Sequence, residues 1–203
     1  MRRTVRSDRR MKGISVLAAV LAAMQLASQP AADATQLFDR GITFEQFVAK
    51  ATAQRDVWLT AASHSHVDPD AVRQLTRVGT GLRLLIVSDD WCVDSAHTVP
   101  YVAKLAAAAG VELKIVGRDA GAGLLAHHPT RDGRPATPTI VFIRDGRDVG
   151  AWVERPAPLQ DLFFSMATNP DSAKRFADRA SWYAADRGRT TIAEVLALAE
   201  QTR

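Results

Sequence analysis

The stretch that most constrains this chain is Leu82–Ser95, LRLLIVSDDWCVDS. An apolar run of strand length ends in two aspartates, a tryptophan and the sole cysteine of the sequence. Such a run fits a strand buried on both faces, the kind found inside a sheet covered by helices. The residues after it restore helical spacing, so Cys92 is placed where a strand hands over to a helix. That helix is expected from Cys92 or Ser95 to Ala109, rich in alanine, closed by Gly110 and kinked at Pro100.

Alternation continues beyond it. Val111–Val116 reads as a strand, Asp119–His127 as a short helix ending near Pro129, and Thr139–Ile143 as a β-branched and aromatic strand. Arg144-Asp145-Gly146-Arg147 carries a hairpin signal, with Asp148–Val153 as the return strand. This order requires a mixed sheet with helices on its faces.

The flanks read as helical. Thr43 and Gln46 form a capping-box pattern, and apolar residues recur at helical spacing from Phe44 through Ala62 after an irregular lead-in over Thr35–Gly41. Asp68-Pro69 opens another helix to about Val78, closed by Gly79 and Gly81. After Leu159, three apolar faces follow. The first holds Leu159, Leu162, Phe163 and Met166, and Asn169-Pro170 breaks it. Phe176, Trp182 and Tyr183 anchor the second, and Ile192, Val195, Leu196 and Ala199 form the third.

The N-terminus reads as an address. Residues 1–12 are basic, Ile14–Ala27 is apolar and uncharged, and Ala32-Asp33-Ala34 has the small-x-small form of a cleavage site, the order of a secretory signal peptide. The apolar run is shorter than the roughly 20 residues of a membrane span, so an uncleaved anchor is the alternative and the sole expected route to a membrane. Met11 is a second candidate start, and Arg9-Arg10 a poor match to a twin-arginine signal. Residues 1–34 hold six of the 26 basic residues and two of the 22 acidic ones, so 20 of each remain in 35–203. A neutral body gives no support for nucleic-acid binding, which leans on basic surface. Export places the protein in the periplasm or outside the cell, in an oxidising compartment. One cysteine cannot form an internal disulfide there. It is then either buried and inert or a thiol that reacts with another molecule.

Trp91-Cys92-Val93-Asp94-Ser95 opening a helix after an apolar strand, with Thr137-Pro138 directly before the strand Thr139–Ile143, resembles the thioredoxin-like superfamily. The resemblance covers about residues 82–167. The W-C-x-D-S form together with the run WYAADRGRTT near the C-terminus is similar to a poorly characterised bacterial branch of it. It implies a thioredoxin-like α/β sandwich, a mixed central sheet flanked by helices. The expected organisation is a signal peptide (1–34), an N-terminal helical extension (35–81), a thioredoxin-like core (82–167) and a C-terminal helical cap packed on the core (168–203). It further implies a cis-proline loop at Thr137-Pro138 that presents backbone to an extended substrate, and a Trp91 platform beside the sulfur.

The departure from the usual C-x-x-C is Ser95 in place of the second cysteine. A dithiol cycle within one chain is therefore chemically closed. C-x-x-S survives in monothiol glutaredoxin-like proteins, where a separate thiol completes the cycle. Two functions stay open. In the first, Cys92 forms mixed disulfides with a thiol-bearing protein or a small-molecule thiol, needing no cofactor. In the second, the proline loop holds an extended peptide without turnover; metal chaperoning through Cys92 is a distant third.

Around Cys92 the local charges oppose one another. The helix start favours a thiolate and Ser95 can donate to the sulfur, whereas Asp89, Asp90 and Asp94 disfavour a second anion, with no Lys or Arg in the stretch to offset them. Asp94 either shuttles a proton or caps the helix. No metal is expected. His64 and His66 lack a third ligand, and Cys92, Asp94 and His97 do not share a helix face, since residues five apart diverge by about 140°. His127-His128 fits a helix end, where a protonated imidazole suits the dipole.

Overall fold

Residues 30–166 and 171–203 are described in the computed structural model. The proposed signal segment lies, for residues 1–29, outside the described residues, as does the Asn169-Pro170 break.

Strand β1 (Leu82–Val87) is the spine of a four-stranded sheet in the order β2-β1-β3-β4. It pairs parallel with β2 (Glu112–Val116) and antiparallel with β3 (Thr139–Arg144), which pairs antiparallel with β4 (Arg147–Val153). The hairpin turn places Asp145 and Gly146 both at positive φ (50° and 73°), the conformation of a type I′ turn. The mixed, helix-flanked sheet of the thioredoxin-like sandwich is thus present.

The period-2 geometry of a strand divides β1 between two cores. Leu82, Leu84 and Ile86 enter one with Val99, Val102, Ile140 and Phe142. Leu85 and Val87 enter the other with Phe38, Leu124, Leu125, Val141 and Ile143. Arg83, in the middle of the apolar run, falls on this second side and lays its guanidinium 4.8 Å from the Phe38 ring centre. The first core is roofed by α3 (Arg55–His64), α4 (Pro69–Val78), α5 (Val93–Ala109) and α9 (Arg189–Gln201), through Trp58, Leu75, Val99, Val195 and Leu196. The second is covered by α1 (Pro30–Arg40) and α6 (Ala122–His127). The remaining helices are α2 (Phe44–Lys50), α7 (Ala157–Ser165) and α8 (Ser172–Asp186).

Three local expectations are corrected. Thr35–Gly41 is largely the end of a helix, because Ala34, Leu37 and Phe38 at helical spacing give it a face to bury on the sheet. The helix expected through Phe44–Ala62 is two helices. Thr43 and Gln46 do form the capping box, but the chain breaks at 51–54, with Gln54 left-handed at φ 51°. Asp90 explains the break: its Oδ2 accepts hydrogen bonds from the N–H of Thr52 (2.7 Å), the N–H of Ala53 (2.9 Å) and the Thr52 hydroxyl (3.2 Å). A carboxylate from elsewhere in the fold satisfies these donors, so the backbone need not. Finally, Phe176 does not anchor its helix: it is 57% exposed, with Arg179 over its ring, and Tyr183 makes the burial instead.

Candidate functional site

Cys92 is the N-cap residue of α5, extended at φ −76° and ψ 111° where β1 has just ended. Its backbone N–H bonds back to the Asp89 carbonyl (3.1 Å), closing a tight turn that exposes Trp91 and turns the sulfur inward. Trp91 is 53% exposed and Cys92 only 7%. Sγ donates to the Thr137 carbonyl at 3.2 Å. The Thr137–Pro138 peptide bond is cis, and both residues are buried. Trp91, Phe47, Lys50, Ser88 and Asp119 line an open cleft of about 450 Å³. Trp91 therefore stands in water at the mouth of the site, next in the chain to the sulfur.

A ring of contacts fixes this geometry. The Pro138 carbonyl accepts the Glu154 N–H (2.7 Å), which ties the proline loop to the end of β4. The next residue, Arg155, reaches back to Asp94: its Nη2 is 2.9 Å from Asp94 Oδ2 and 2.8 Å from Glu154 Oε1. Asp94 is two residues from Cys92, so the ring returns to the sulfur. The other carboxylate oxygen of Asp94 accepts the Tyr183 hydroxyl at 2.9 Å, and Arg179 lies 3.6 Å from Oδ2. Asp94 thus does not cap α5. It is a buried carboxylate whose two oxygens are engaged by Arg155 and Tyr183, and burial of that kind requires such partners.

The charge balance read from the local sequence changes accordingly. Asp94 faces two arginines that lie 61 and 85 positions further on. Asp89 accepts the Arg118 N–H (3.0 Å) across the sheet. Asp90 holds residues 52–53, and these backbone N–H donors keep its carboxyl below the ordinary carboxylate range. Each aspartate has a structural partner that the stretch itself does not contain.

Ser95 departs from expectation in another way. It is fully buried, and its hydroxyl has no hydrogen-bond partner, the Cys92 sulfur included. The proton of that sulfur goes to Thr137 instead.

Sequence reasoning missed Arg155, Arg179 and Glu154, which carry no motif. It placed Tyr183 only as a helix anchor. The signal for Tyr183 was the run WYAADRGRTT, and the Tyr183–Asp94 bond joins that run to W-C-x-D-S. Gly188 in the same run is at φ 75°, and a Cβ there would collide with the Tyr101 ring. His97 stacks on Tyr183 with ring centres 4.8 Å apart and planes 12° apart. Burial pushes its imidazole pKa down, Asp94 opposes that and Arg179 adds to it. These two rings also wall a larger cleft, about 640 Å³, with Asp56, His64 and Arg187. Cys92 does not line it.

No donor set forms from Cys92, Asp94 and His97, and His64 and His66 are exposed. Among the described residues, the one group of His, Cys, Asp or Glu with three ligand atoms in mutual reach is His127, His128 and Asp148. No described helix is long and apolar enough to cross a membrane.

A family model described as thioredoxin matches residues 41–174. Among solved structures, the chain is similar to a Pseudomonas aeruginosa protein of unknown function, at 22% identity and TM-score 0.63, over 82% of this chain and 96% of that one. It is equally similar to an HIV epitope-scaffold, at 20% identity and TM-score 0.63, with the same coverage. At these identities the likeness shows the fold. Comparison with the curated proteins finds no match.

Proposed function

The chain belongs to the thioredoxin family, and from that premise we propose that it is an exported monothiol thiol–disulfide oxidoreductase acting through Cys92. The observation that carries the proposal is the sulfur at the N-cap of α5, bonded to the carbonyl before the cis proline and flanked by the exposed Trp91. Export rests on the basic, apolar and small-residue order of residues 1–34.

The chemistry balances without a second cysteine. Cys92 gives up its proton and attacks one sulfur of a partner disulfide. A new S–S bond forms to Cys92, the partner's S–S bond breaks, and its other sulfur leaves as thiolate. A separate thiol, from glutathione or a protein, then attacks the mixed disulfide and releases Cys92 as thiolate. As the N-cap residue of α5, Cys92 stands at the positive end of the helix dipole, which favours negative sulfur in both steps. Trp91 and the Thr137-Pro138 backbone are the surfaces along which an extended partner is held. Asp94 is a positioning residue that ties the start of α5 to Arg155 and Tyr183. Ser95 occupies the resolving position with a group that cannot form a disulfide, which leaves the mixed disulfide to be resolved from outside.

The test is exposure of the reduced, folded chain to oxidised glutathione, followed by mass spectrometry. A glutathionyl adduct at Cys92 that added reduced thiol removes, and that Cys92→Ser abolishes, is the expected result. Reaction seen only after unfolding refutes the exchange function. Undiminished binding of an extended peptide by Cys92→Ser, without turnover in wild type, would favour the proline loop as a non-catalytic groove.

A further inference from the structure

A second chemically distinctive group lies away from the thiol. We propose that His127, His128 and Asp148 form a binding site for a divalent ion of the zinc class. His127 is the last residue of α6, His128 its C-cap and Asp148 the second residue of β4. One ligand atom from each lies within 4.8 Å of the other two. His128 Nε2 is 2.6 Å from Asp148 Oδ2, and the two imidazoles meet edge to face with centres 4.6 Å apart.

The donor types choose the ion. Two imidazole nitrogens and one carboxylate suit zinc and its borderline neighbours, whereas calcium and magnesium take oxygen ligands. Tetrahedral ligands about 2.0–2.1 Å from zinc are separated by about 3.4 Å, so the hydrogen-bonded His128 and Asp148 atoms, now 2.6 Å apart, would part by about 0.8 Å as the ion replaced the proton between them. His127 is exposed, so its side chain would turn in solvent toward the other two donors to complete the set. The carboxylate is oriented from behind: Asp148 Oδ1 accepts the Gly150 N–H at 3.1 Å, which leaves Oδ2 turned to the histidines. Outer-shell support of this kind is what fixes a metal ligand. Three protein donors leave one position for water or a small ligand.

This site is independent of Cys92. Asp148 pairs with Ile143, whereas the cis-proline end of the hairpin is the Thr139–Val153 pair. Four residues of strand at about 3.3 Å each put it about 13 Å further along the sheet. An ion there would clip α6 to β4.

The experiment is calorimetric titration of the untagged chain with zinc chloride, with Co²⁺ absorption as a geometry probe. Wild type and Cys92→Ser should each bind one Zn²⁺ and gain thermal stability with rising zinc. His127→Ala, at an exposed position that leaves the fold intact, should weaken binding at least ~10-fold, as should Asp148→Asn. Absence of saturable zinc binding in wild type would leave only the His128–Asp148 hydrogen bond and overturn the proposal. So would zinc affinity in His127→Ala within about two-fold of wild type, or binding that is lost in Cys92→Ser.

Discussion

Tyr183→Phe is the sharpest probe of the site's architecture, because it removes one oxygen and little else. Phenylalanine keeps the ring that stacks on His97 and meets Trp182 edge-on. What disappears is a buried hydroxyl donating at 2.9 Å to Asp94, whose other oxygen retains Arg155. A hydrogen bond to a charged group contributes about 1.5–3 kcal/mol. A loss of about 2 kcal/mol is therefore expected, equivalent to a fall of about 4–8 °C in melting temperature for a chain of this size. The assay is chemical and thermal unfolding of both proteins near neutral pH, repeated in an Asp94→Asn background. There the cost of Tyr183→Phe should shrink by about 1 kcal/mol or more, since the partner has lost its charge. The pH dependence supplies a second reading. Burial first, then the charge of Asp94 and the bond to it, hold the Tyr183 pKa well above its ordinary value. A raised folded pKa gives stability that is present below the unfolded pKa of about 10 and lost as pH rises beyond it. Wild type should show that alkaline loss, and Tyr183→Phe should show a smaller one, left by Tyr101, whose pKa burial also raises. A change within about 0.5 kcal/mol in the wild-type background, the range of an ordinary surface substitution, would refute the view that this bond holds the helix cap to the start of α5.

Other outcomes follow from neighbouring residues. His97 is held neutral chiefly by burial, so its folded pKa lies below the unfolded one. Stability should fall as pH drops below about 6.5, and His97→Phe should flatten that part of a stability–pH curve. Asp90→Ala frees the N–H groups of Thr52 and Ala53 at a partly exposed site, for a loss of about 1 kcal/mol after solvent screening; faster amide exchange at 52–53 would report the same event. Because the Asp90 pKa is depressed in the fold, that contribution is present above the unfolded carboxylate pKa of about 3.9 and fades in stronger acid. Gly188→Ala meets both a positive φ and the Tyr101 ring, so a loss of about 1–3 kcal/mol is expected in denaturant unfolding; an unchanged midpoint would mean that the ring moves aside freely.

Much of the fold could be read from one dimension because its signals are local. The apolar run of β1, the cap at Thr43, Pro69 at a helix start and the Asp145-Gly146 turn each act within a few residues, where periodicity and dihedral preference are written directly into the chain. The same holds for Cys92 as the residue between strand and helix, and for the resemblance of its surroundings to the thioredoxin-like superfamily. What the sequence did not determine was who meets whom. Asp90 breaks a helix nearly forty residues earlier, Asp94 is neutralised by Arg155 and Arg179 from the other half of the chain, and Ser95 is left without a partner. His128 leaves the solvent to face Asp148. Charges and hydroxyls act through space, over a few ångströms set by the packing of whole elements, so their partners become known only once the sheet and its helices have closed around them.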